Sequence, residues 1–317
     1  MAANQLEPLD RVEILSVMDN SIDVLMGNTP VAKRHKRARD ALARPQLRAE
    51  HGVSMLVTTY SNGKKDSFLF DTGVTVDGVL HNMDVLEVKG NELHAVVLSH
   101  GHTDHTRGLM GFIKRYGRPK IPIVLHPDAY LKRKNVQPDG HESEHIPPSK
   151  KDMEAEDVQI IEEVGPTMLI GGSALVSGQI PRVTEYEKGS PNQLAVIDGE
   201  WKPDPWIHDD QAIVMNVKDK GLVVLTGCGH AGVINTLKHA IALTGVNRIH
   251  AVIGGFHLTG PIFEPVIAPT VQALREFSPS VLVPQHCTGW KATHLMASEF
   301  PEAFVPNSVG TTMVITA

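Results

Sequence analysis

The chain has 317 residues, of which 41% are hydrophobic and 21% are charged, and its formal net charge is −6. These values are typical of a folded globular protein and exclude a largely disordered one. The acidic balance argues against nucleic acid as a partner, because phosphate backbones select basic surfaces. No apolar run has the length of a bilayer span, and the first residues do not resemble an export signal. We therefore expect a cytoplasmic protein that does not bind a membrane.

Strand-length apolar runs alternate with helical patterns along the chain. The predicted strands are 12–18, 53–60, 66–73, 93–100, 121–127, 167–178, 212–218, 221–227, 249–255, 280–286 and 311–316. The predicted helices are 106–116, 232–244 and 265–277. Many strands are apolar on both faces, which predicts an α/β fold with sheets covered by helices. Residues 138–163 and 185–210 are polar and aperiodic, and they are predicted to be long loops.

A basic segment precedes the second predicted strand. Residues 31–48 contain seven Lys or Arg and a single acid, Asp40. Thr29 is suited to an N-cap and Pro30 to the first helical position, so the sequence predicts a basic helical insertion at about 29–48. Two interpretations stay open: a solvated helix face, or a lid that presents cations to an anionic substrate.

A short motif at the end of the predicted strand 93–100 suggests a metal site. Within six positions the chain places His100, His102, Asp104 and His105. Imidazole nitrogens and carboxylate oxygens are ligands of Zn²⁺ and similar ions. One ion cannot easily take four ligands from so short a turn. The motif therefore predicts two divalent ions, with His100 and His102 on one and Asp104 and His105 on the other. Zinc is expected, with manganese or iron(II) as alternatives.

Further candidate ligands follow three later predicted strands. His230 and His286 are predicted to complete the metal site, and His257 is predicted to be a ligand or the group that protonates the leaving group. Cys228 is either a ligand or bridging thiolate, or a small buried residue that lines the site. Cys228 and Cys287 are the only cysteines, which favours a reducing compartment over a disulfide framework.

Several motifs together resemble a known family. They are "FDTG" (70–73), "LSHGHTDHTRGL" (98–109), "LTGCGHAGVINT" (225–236), "IGGFHL" (253–258) and "PQHCTG" (284–289). In this order they resemble the metallo-beta-lactamase superfamily of metal-dependent hydrolases, and within it a dihydropteroate-synthase-like branch. The resemblance implies a four-layer αββα sandwich formed as a single domain, with two metal ions at the shared edge of two sheets.

The resemblance also assigns positions. It implies metal ligands at His100, His102, Asp104, His105 and His286. Asp71 matches the aspartate that supports the site from behind the ligands. The sequence departs from the family where a bridging aspartate is expected, because Cys228 stands there and the usual Gly-His-Thr-Pro-Gly segment is absent. His208 is the only histidine near that missing segment, and its role stays open.

These features predict a metal-dependent hydrolase. A metal-bound hydroxide, oriented by Asp104, is expected to attack an ester, lactone or phosphodiester of an anionic small molecule. One alternative is a pterin-pathway synthase that joins a phosphoribosyl donor to an aminobenzoate. Another is a non-catalytic protein that binds a metal or ligand. A homo-oligomer stays open.

Overall fold

The computed structural model describes residues 6–36, 43–117 and 120–317. The strands are β1 (Arg11–Met18), β2 (Ala32–Lys33), β3 (Ser54–Ser61), β4 (Lys64–Phe70), β5 (Ala95–Val97), β6 (Pro122–Leu125), β7 (Arg133–Val136), β8 (Glu142–His145), β9 (Gln159–Glu162), β10 (Thr167–Leu169), β11 (Ala174–Val176), β12 (Gln193–Ile197), β13 (Glu200–Pro203), β14 (Ala212–Val217), β15 (Gly221–Thr226), β16 (Ile249–Gly254), β17 (Val281–Pro284) and β18 (Thr312–Thr316). The helices are α1 (Gly78–Val85), α2 (Thr103–Thr106), α3 (Leu109–Tyr116), α4 (Lys150–Ala155), α5 (Val233–Thr244), α6 (Ile267–Phe277) and α7 (Trp290–Glu299).

Across these described ranges the strands form three sheets. The first has the order β2-β18-β1-β3-β4-β5-β6-β9, and the second has the order β10-β11-β14-β15-β16-β17. A small third sheet has the order β13-β12-β7-β8. Strands β4, β5, β6 and β9 run parallel in the first sheet, and β15, β16 and β17 run parallel in the second.

The two large sheets pack face to face, with helices on their outer sides. Phe68 and Phe70 from the first sheet share a buried cluster with Met215 and Leu225 from the second. Apolar residues of α1, α3 and α4 cover the outer face of the first sheet. Those of α5, α6 and α7 cover the second. The predicted four-layer αββα sandwich is therefore confirmed, as expected for strands that are apolar on both faces.

The strand order brings the candidate ligands to one edge of the sandwich. His100 lies beyond the end of β5 in the first sheet, while His230, His257 and His286 lie beyond β15, β16 and β17 in the second. Parallel neighbours carry their following turns to the same edge of a sheet. Residues that are far apart in sequence can therefore meet there.

The predicted loops contain regular structure. The segment 138–163 includes β8, α4 and β9, and the segment 185–210 includes β12 and β13. The prediction of long loops is wrong because these segments pair in a small sheet, whose edge strands β8 and β13 are largely exposed and carry no apolar alternation. The predicted strand 167–178 is two strands, which are joined by a turn with Gly171 at φ 64°.

The start of the predicted basic helix is also wrong. Ala32 is fully buried and pairs with Met313, so this part of the segment forms strand β2. The Oγ1 atom of Thr29 accepts a hydrogen bond from the backbone N–H of Ala32 at 3.0 Å, which closes a turn and does not cap a helix. Residues 37–42, the centre of the predicted insertion, lie outside the described residues. No helix of the described ranges is long and apolar enough to cross a membrane.

Candidate metal centre

A fully buried aspartate organises the turn after β5. Asp71 follows β4 with a left-handed backbone at φ 62°. Its Oδ1 accepts a hydrogen bond from the backbone N–H of Ser99, and its Oδ2 accepts one from the Ser99 hydroxyl, both at 2.7 Å. Nδ1 of His105 lies 2.7 Å from the same Oδ2. In the neutral ring this contact places the proton on Nδ1, so that the Nε2 lone pair can bind a cation.

Four side chains form a first donor group. One donor atom from each of Asp104, His105, Cys228 and His286 lies within 4.8 Å of the others. Nε2 of His286 lies 3.2 Å from Oδ2 of Asp104, and Nε2 of His105 lies 3.1 Å from Sγ of Cys228. One carboxylate, one thiol and two imidazoles are a donor set that suits zinc.

A second donor group contains His100, Cys228 and His230. Within the described part of the chain, Nε2 of His100 and both ring nitrogens of His230 are buried without a hydrogen-bond partner. Buried polar atoms are normally paired, so these nitrogens are suited to binding a cation. Cys228 belongs to both groups and lies between them.

His102 has different neighbours from those predicted. Its ring stacks on His145 of β8 at 3.9 Å, and these two residues form a third donor group with Asp104. Nε2 of His102 also lies 3.1 Å from Nε2 of Gln193. The structure places His100 in a different donor group, with Cys228 and His230. That His100 and His102 bind the same ion therefore stays a prediction.

The remaining candidate histidines differ in position. His257 has a left-handed backbone at φ 46°, and its ring lies 4.2 Å from that of His230. His208 lies outside the three donor groups, and its Nδ1 is 2.9 Å from Nε2 of Gln179. The described contacts thus give His208 no place beside the proposed ions.

Burial keeps most of the clustered imidazoles neutral. Burial, reinforced by neighbouring histidines, holds the pKa values of His100, His102 and His230 well below their ordinary value of 6.5. Burial also lowers the pKa of His257, to about 4. Neutral imidazole is the form that binds a metal ion. At neutral pH the His257 ring is therefore neutral and can donate a hydrogen bond, and its role as the group that protonates the leaving group stays a prediction.

The first donor group holds opposite charges. Burial opposes a charge on His105, but Asp104 and Asp71 outweigh it and raise the His105 pKa to about 9. Burial also opposes ionisation of Asp104, yet His105 and His286 lower its pKa. Burial raises the pKa of the Cys228 thiol well above its ordinary value. A bound cation reverses this preference, since metal ions deprotonate coordinating thiols.

The small sheet forms one wall of a pocket over this centre. The pocket has a volume of about 300 Å³, and four carboxamides line it, those of Asn135, Gln137, Asn192 and Gln193. Phe263 contributes to the lining, and none of the described lining residues is Lys or Arg. Carboxamides both donate and accept hydrogen bonds, so the wall suits a polar molecule without requiring a charge on it.

A second cavity of about 330 Å³ adjoins the first. The two share His230, His257 and Phe263 as lining residues. The second cavity has mainly apolar and aromatic walls, including Tyr186. Exposed Lys188 is the one Lys or Arg among its described lining residues.

Comparisons with known proteins agree with this geometry. The family model of the metallo-beta-lactamase superfamily matches residues 47–240. The chain belongs to the metallo-beta-lactamase superfamily. It is 30% identical over 270 residues to a 7,8-dihydropterin-6-methyl-4-(beta-D-ribofuranosyl)-aminobenzene-5'-phosphate synthase of Methanocaldococcus jannaschii, a match that covers 81% of this chain and 87% of the relative. An uncharacterized protein of the same organism is 30% identical over 257 residues, or 80% of this chain and 90% of the relative.

The crystal structure of a metal-dependent hydrolase of the beta-lactamase superfamily has the same fold. Its TM-score is 0.73 at 24% sequence identity, with 96% of this chain and 100% of that chain covered. Metallo-beta-lactamase superfamily proteins usually bind metal ions, and the donor types and unpartnered nitrogens found here fit divalent cations. Cys228 lies between the two principal donor groups, where the sequence resemblance had implied a bridging aspartate.

Sequence reasoning did not identify several residues of the centre. His145 and Gln193 lie in segments that were predicted to be loops, and their contacts depend on the small sheet. His51 lies in a polar turn, where its ring comes within 4.6 Å of that of His286. The sequence signal for His51 is the stretch "AEHGVS" (49–54), which also resembles the dihydropteroate-synthase-like branch.

Proposed function

We propose that this protein is a metal-dependent hydrolase that acts on an ester, lactone or phosphodiester of a small molecule. The proposal depends chiefly on the convergence of Cys228 with two groups of buried imidazole and carboxylate donors. His100 and His230 carry nitrogens that lack hydrogen-bond partners among the described residues, which supports occupation by a cation. Zinc suits the mixture of nitrogen, sulfur and oxygen donors, with manganese and iron(II) as alternatives.

The contacts suggest a role for each residue of the centre. Two divalent ions would be held by His100, His102, Asp104, His105, His230 and His286, with Cys228 between them. Such ions supply Lewis acidity and bring the pKa of bound water near neutrality. Asp71 keeps Nε2 of His105 directed at the centre. His257 contributes a hydrogen bond to the leaving-group oxygen from its place in the pocket wall.

The surroundings of the centre support a small molecule as the substrate. The carboxamide wall of the first pocket can orient polar groups of the substrate. An anionic group of the substrate would meet Lys188 in the second cavity. The free cysteines favour action in a reducing compartment such as the cytoplasm, because oxidation of Cys228 would remove a metal donor.

Metal analysis combined with a substrate panel tests the proposal. Protein reconstituted with zinc, manganese or iron(II) is assayed on chromogenic esters, lactones and phosphodiesters, with His100→Ala as the metal-site variant. We expect turnover that a chelator abolishes and that the variant lacks. Bound metal without turnover of any substrate would instead favour a non-catalytic binding protein.

A synthase is the second candidate, and two observations favour it. The relative that is 30% identical to this chain carries the name of a synthase. The two adjoining cavities that meet at His230 and His257 could hold two reactants at once. Incubation with phosphoribosyl pyrophosphate and an aminobenzoate separates the candidates. Release of pyrophosphate only when both are present supports the synthase, whereas turnover restricted to the ester and phosphodiester panel supports the hydrolase.

A further inference from the structure

A buried arginine links the small sheet to the candidate metal centre. Arg133 begins β7 and is only 1% exposed, although much of the small sheet faces solvent. Its Nε donates a hydrogen bond to Asp204 at 2.7 Å. One of its terminal nitrogens donates to Oδ2 of Asp209 at 3.1 Å, and the other lies 2.8 Å from Oδ1. The guanidinium therefore contacts both oxygens of Asp209, with a hydrogen bond to Oδ2 and an ion-pair contact to Oδ1.

Asp209 makes a further contact that reaches the metal-binding turn. Its Oδ2 accepts a hydrogen bond from the backbone N–H of Gly101 at 2.7 Å. Gly101 separates His100 from His102 in the sequence. On its other side the turn packs tightly, since a Cβ atom on Gly101 would lie 2.1 Å from the carbonyl oxygen of Ala129. The turn is therefore held between the Asp209 carboxylate and the backbone at Ala129.

The small sheet touches the same turn at a second point. Gln193 of β12 lies against Nε2 of His102. In the sheet register, Arg133 pairs with Ala195 on one side and with His145 on the other. The strands that carry the pocket carboxamides therefore also carry the arginine that holds Asp209.

We propose that Arg133, acting through Asp209 and Gly101, is a positioning residue that sets the direction of the His100 and His102 imidazoles toward the metal ions. This inference rests on the proposed metal-dependent function. Burying a guanidinium and two carboxylates has a large desolvation cost, and apolar side chains could fill the same volume without it. A short charge-assisted hydrogen bond to the turn is something that apolar side chains cannot supply.

Two isosteric variants provide a matched test. Asp209→Asn and Asp204→Asn each remove one carboxylate charge from Arg133, but only Asp209 touches Gly101. In Asp209→Asn, an NH₂ group replaces one carboxylate oxygen. That NH₂ group must face either the guanidinium or Gly101, and both of these are hydrogen-bond donors. The full chain is stripped of metal, and zinc affinity is measured by competition with a chromophoric chelator. The cobalt-substituted protein is examined by visible absorption.

We expect Asp209→Asn to weaken zinc binding by about 10-fold to 100-fold, the usual effect of removing a partner that orients a ligand. Its cobalt spectrum should change, whereas Asp204→Asn should keep the wild-type spectrum and bind zinc within about twofold of wild type. Equal spectra and affinities for wild type and Asp209→Asn, or equal losses in both variants, would overturn the inference.

The test separates this inference from the proposed function. If wild-type protein binds none of zinc, cobalt, manganese and iron(II), the proposed function fails and the inference fails with it. If wild type binds metal and Asp209→Asn does so identically, only the inference fails. Should circular dichroism show that Asp209→Asn is unfolded, Arg133→Lys replaces it, because lysine keeps the charge but loses the two-pronged contact. An altered cobalt spectrum in that folded variant supports the inference, and an unaltered one overturns it.

Discussion

Nε2 of His105 lies 3.1 Å from Sγ of Cys228, so the signature turn of the first sheet meets the end of β15 in the second. Both side chains are buried, and Cys228 belongs to two donor groups. A thiolate can bridge two cations or complete the shell of one. Its place between the groups makes this cysteine the first position to test.

Replacing Cys228 by serine should remove sulfur from the metal centre. We expect Cys228→Ser to lose the intense sulfur-to-cobalt absorption of the cobalt-substituted protein and to bind zinc at least about tenfold more weakly. Cys287→Ser is the control, because Cys287 is also buried and its thiol donates to the backbone oxygen of Cys228 at 3.2 Å without belonging to a donor group. Retention of the absorption by Cys228→Ser would show that the thiol does not bind the ion.

Zinc binding should release protons in a way that depends on pH. In the metal-free protein the His105 pKa is raised to about 9, so below that pH the ring carries a proton that zinc must displace from Nε2. The thiol of Cys228 must lose a proton as well. Apparent affinity should therefore rise with pH through about 9, where the His105 ring loses its own proton, and should keep rising above it because the thiol still has to ionise. Calorimetry in buffers of different ionisation enthalpy measures the protons released at pH 7.5, and a value of zero would contradict this assignment.

Two histidines of neighbouring strand ends should give different defects. His286→Ala should reduce bound metal, since His286 belongs to a donor group, and metal analysis of the purified variant will show the loss. His257→Ala should keep its metal and lower kcat by about 10²-fold to 10³-fold, the usual effect of removing one hydrogen-bond donor to a developing oxyanion. The same defect in both variants would show that His257 is a ligand.

Gly227 should tolerate no side chain. A Cβ atom there would lie 2.1 Å from Oγ of Ser99 and 2.8 Å from Oδ2 of Asp71, within the network that orients His105. We expect Gly227→Ala to destabilise the protein by about 1–3 kcal/mol, a typical cost of overpacking, and to weaken zinc binding. Gly165→Ala is the control, because nothing lies within 4 Å of its added Cβ. Urea unfolding of both variants measures the difference.

The sandwich was predictable because most of its strands are continuous apolar runs in the sequence. Runs such as β15 and β16 are buried along their whole length, so their apolar composition predicts both the strand and the helices that cover it. The turn that contains His100 was equally clear, since its donor residues are adjacent in sequence. Local patterns of this kind need no knowledge of the tertiary structure.

The small sheet could not be predicted from the same principles. Its strand β8 reads Glu-Ser-Glu-His and is largely exposed, so it carries no apolar alternation. Arg133 looks like a surface cation in the stretch "LKRKNV", and only the folded structure brings Asp204 and Asp209 around it. The contacts of His145 and Gln193 with His102 likewise depend on pairing between distant segments.

Three residues at the rim of the sandwich have backbone angles that normally belong to glycine. Asp71, His257 and His286 have φ values of 62°, 46° and 51°. Each such conformation costs a side-chain-bearing residue roughly 1–2 kcal/mol. Engineering for heat tolerance alone would therefore favour glycine at His257 and His286, which would relax the loops while discarding the imidazoles they present. Asp71 is different, because glycine there would leave the buried backbone N–H of Ser99 without its acceptor. For this protein, a higher melting temperature is thus a misleading criterion of improvement unless metal binding is measured alongside it.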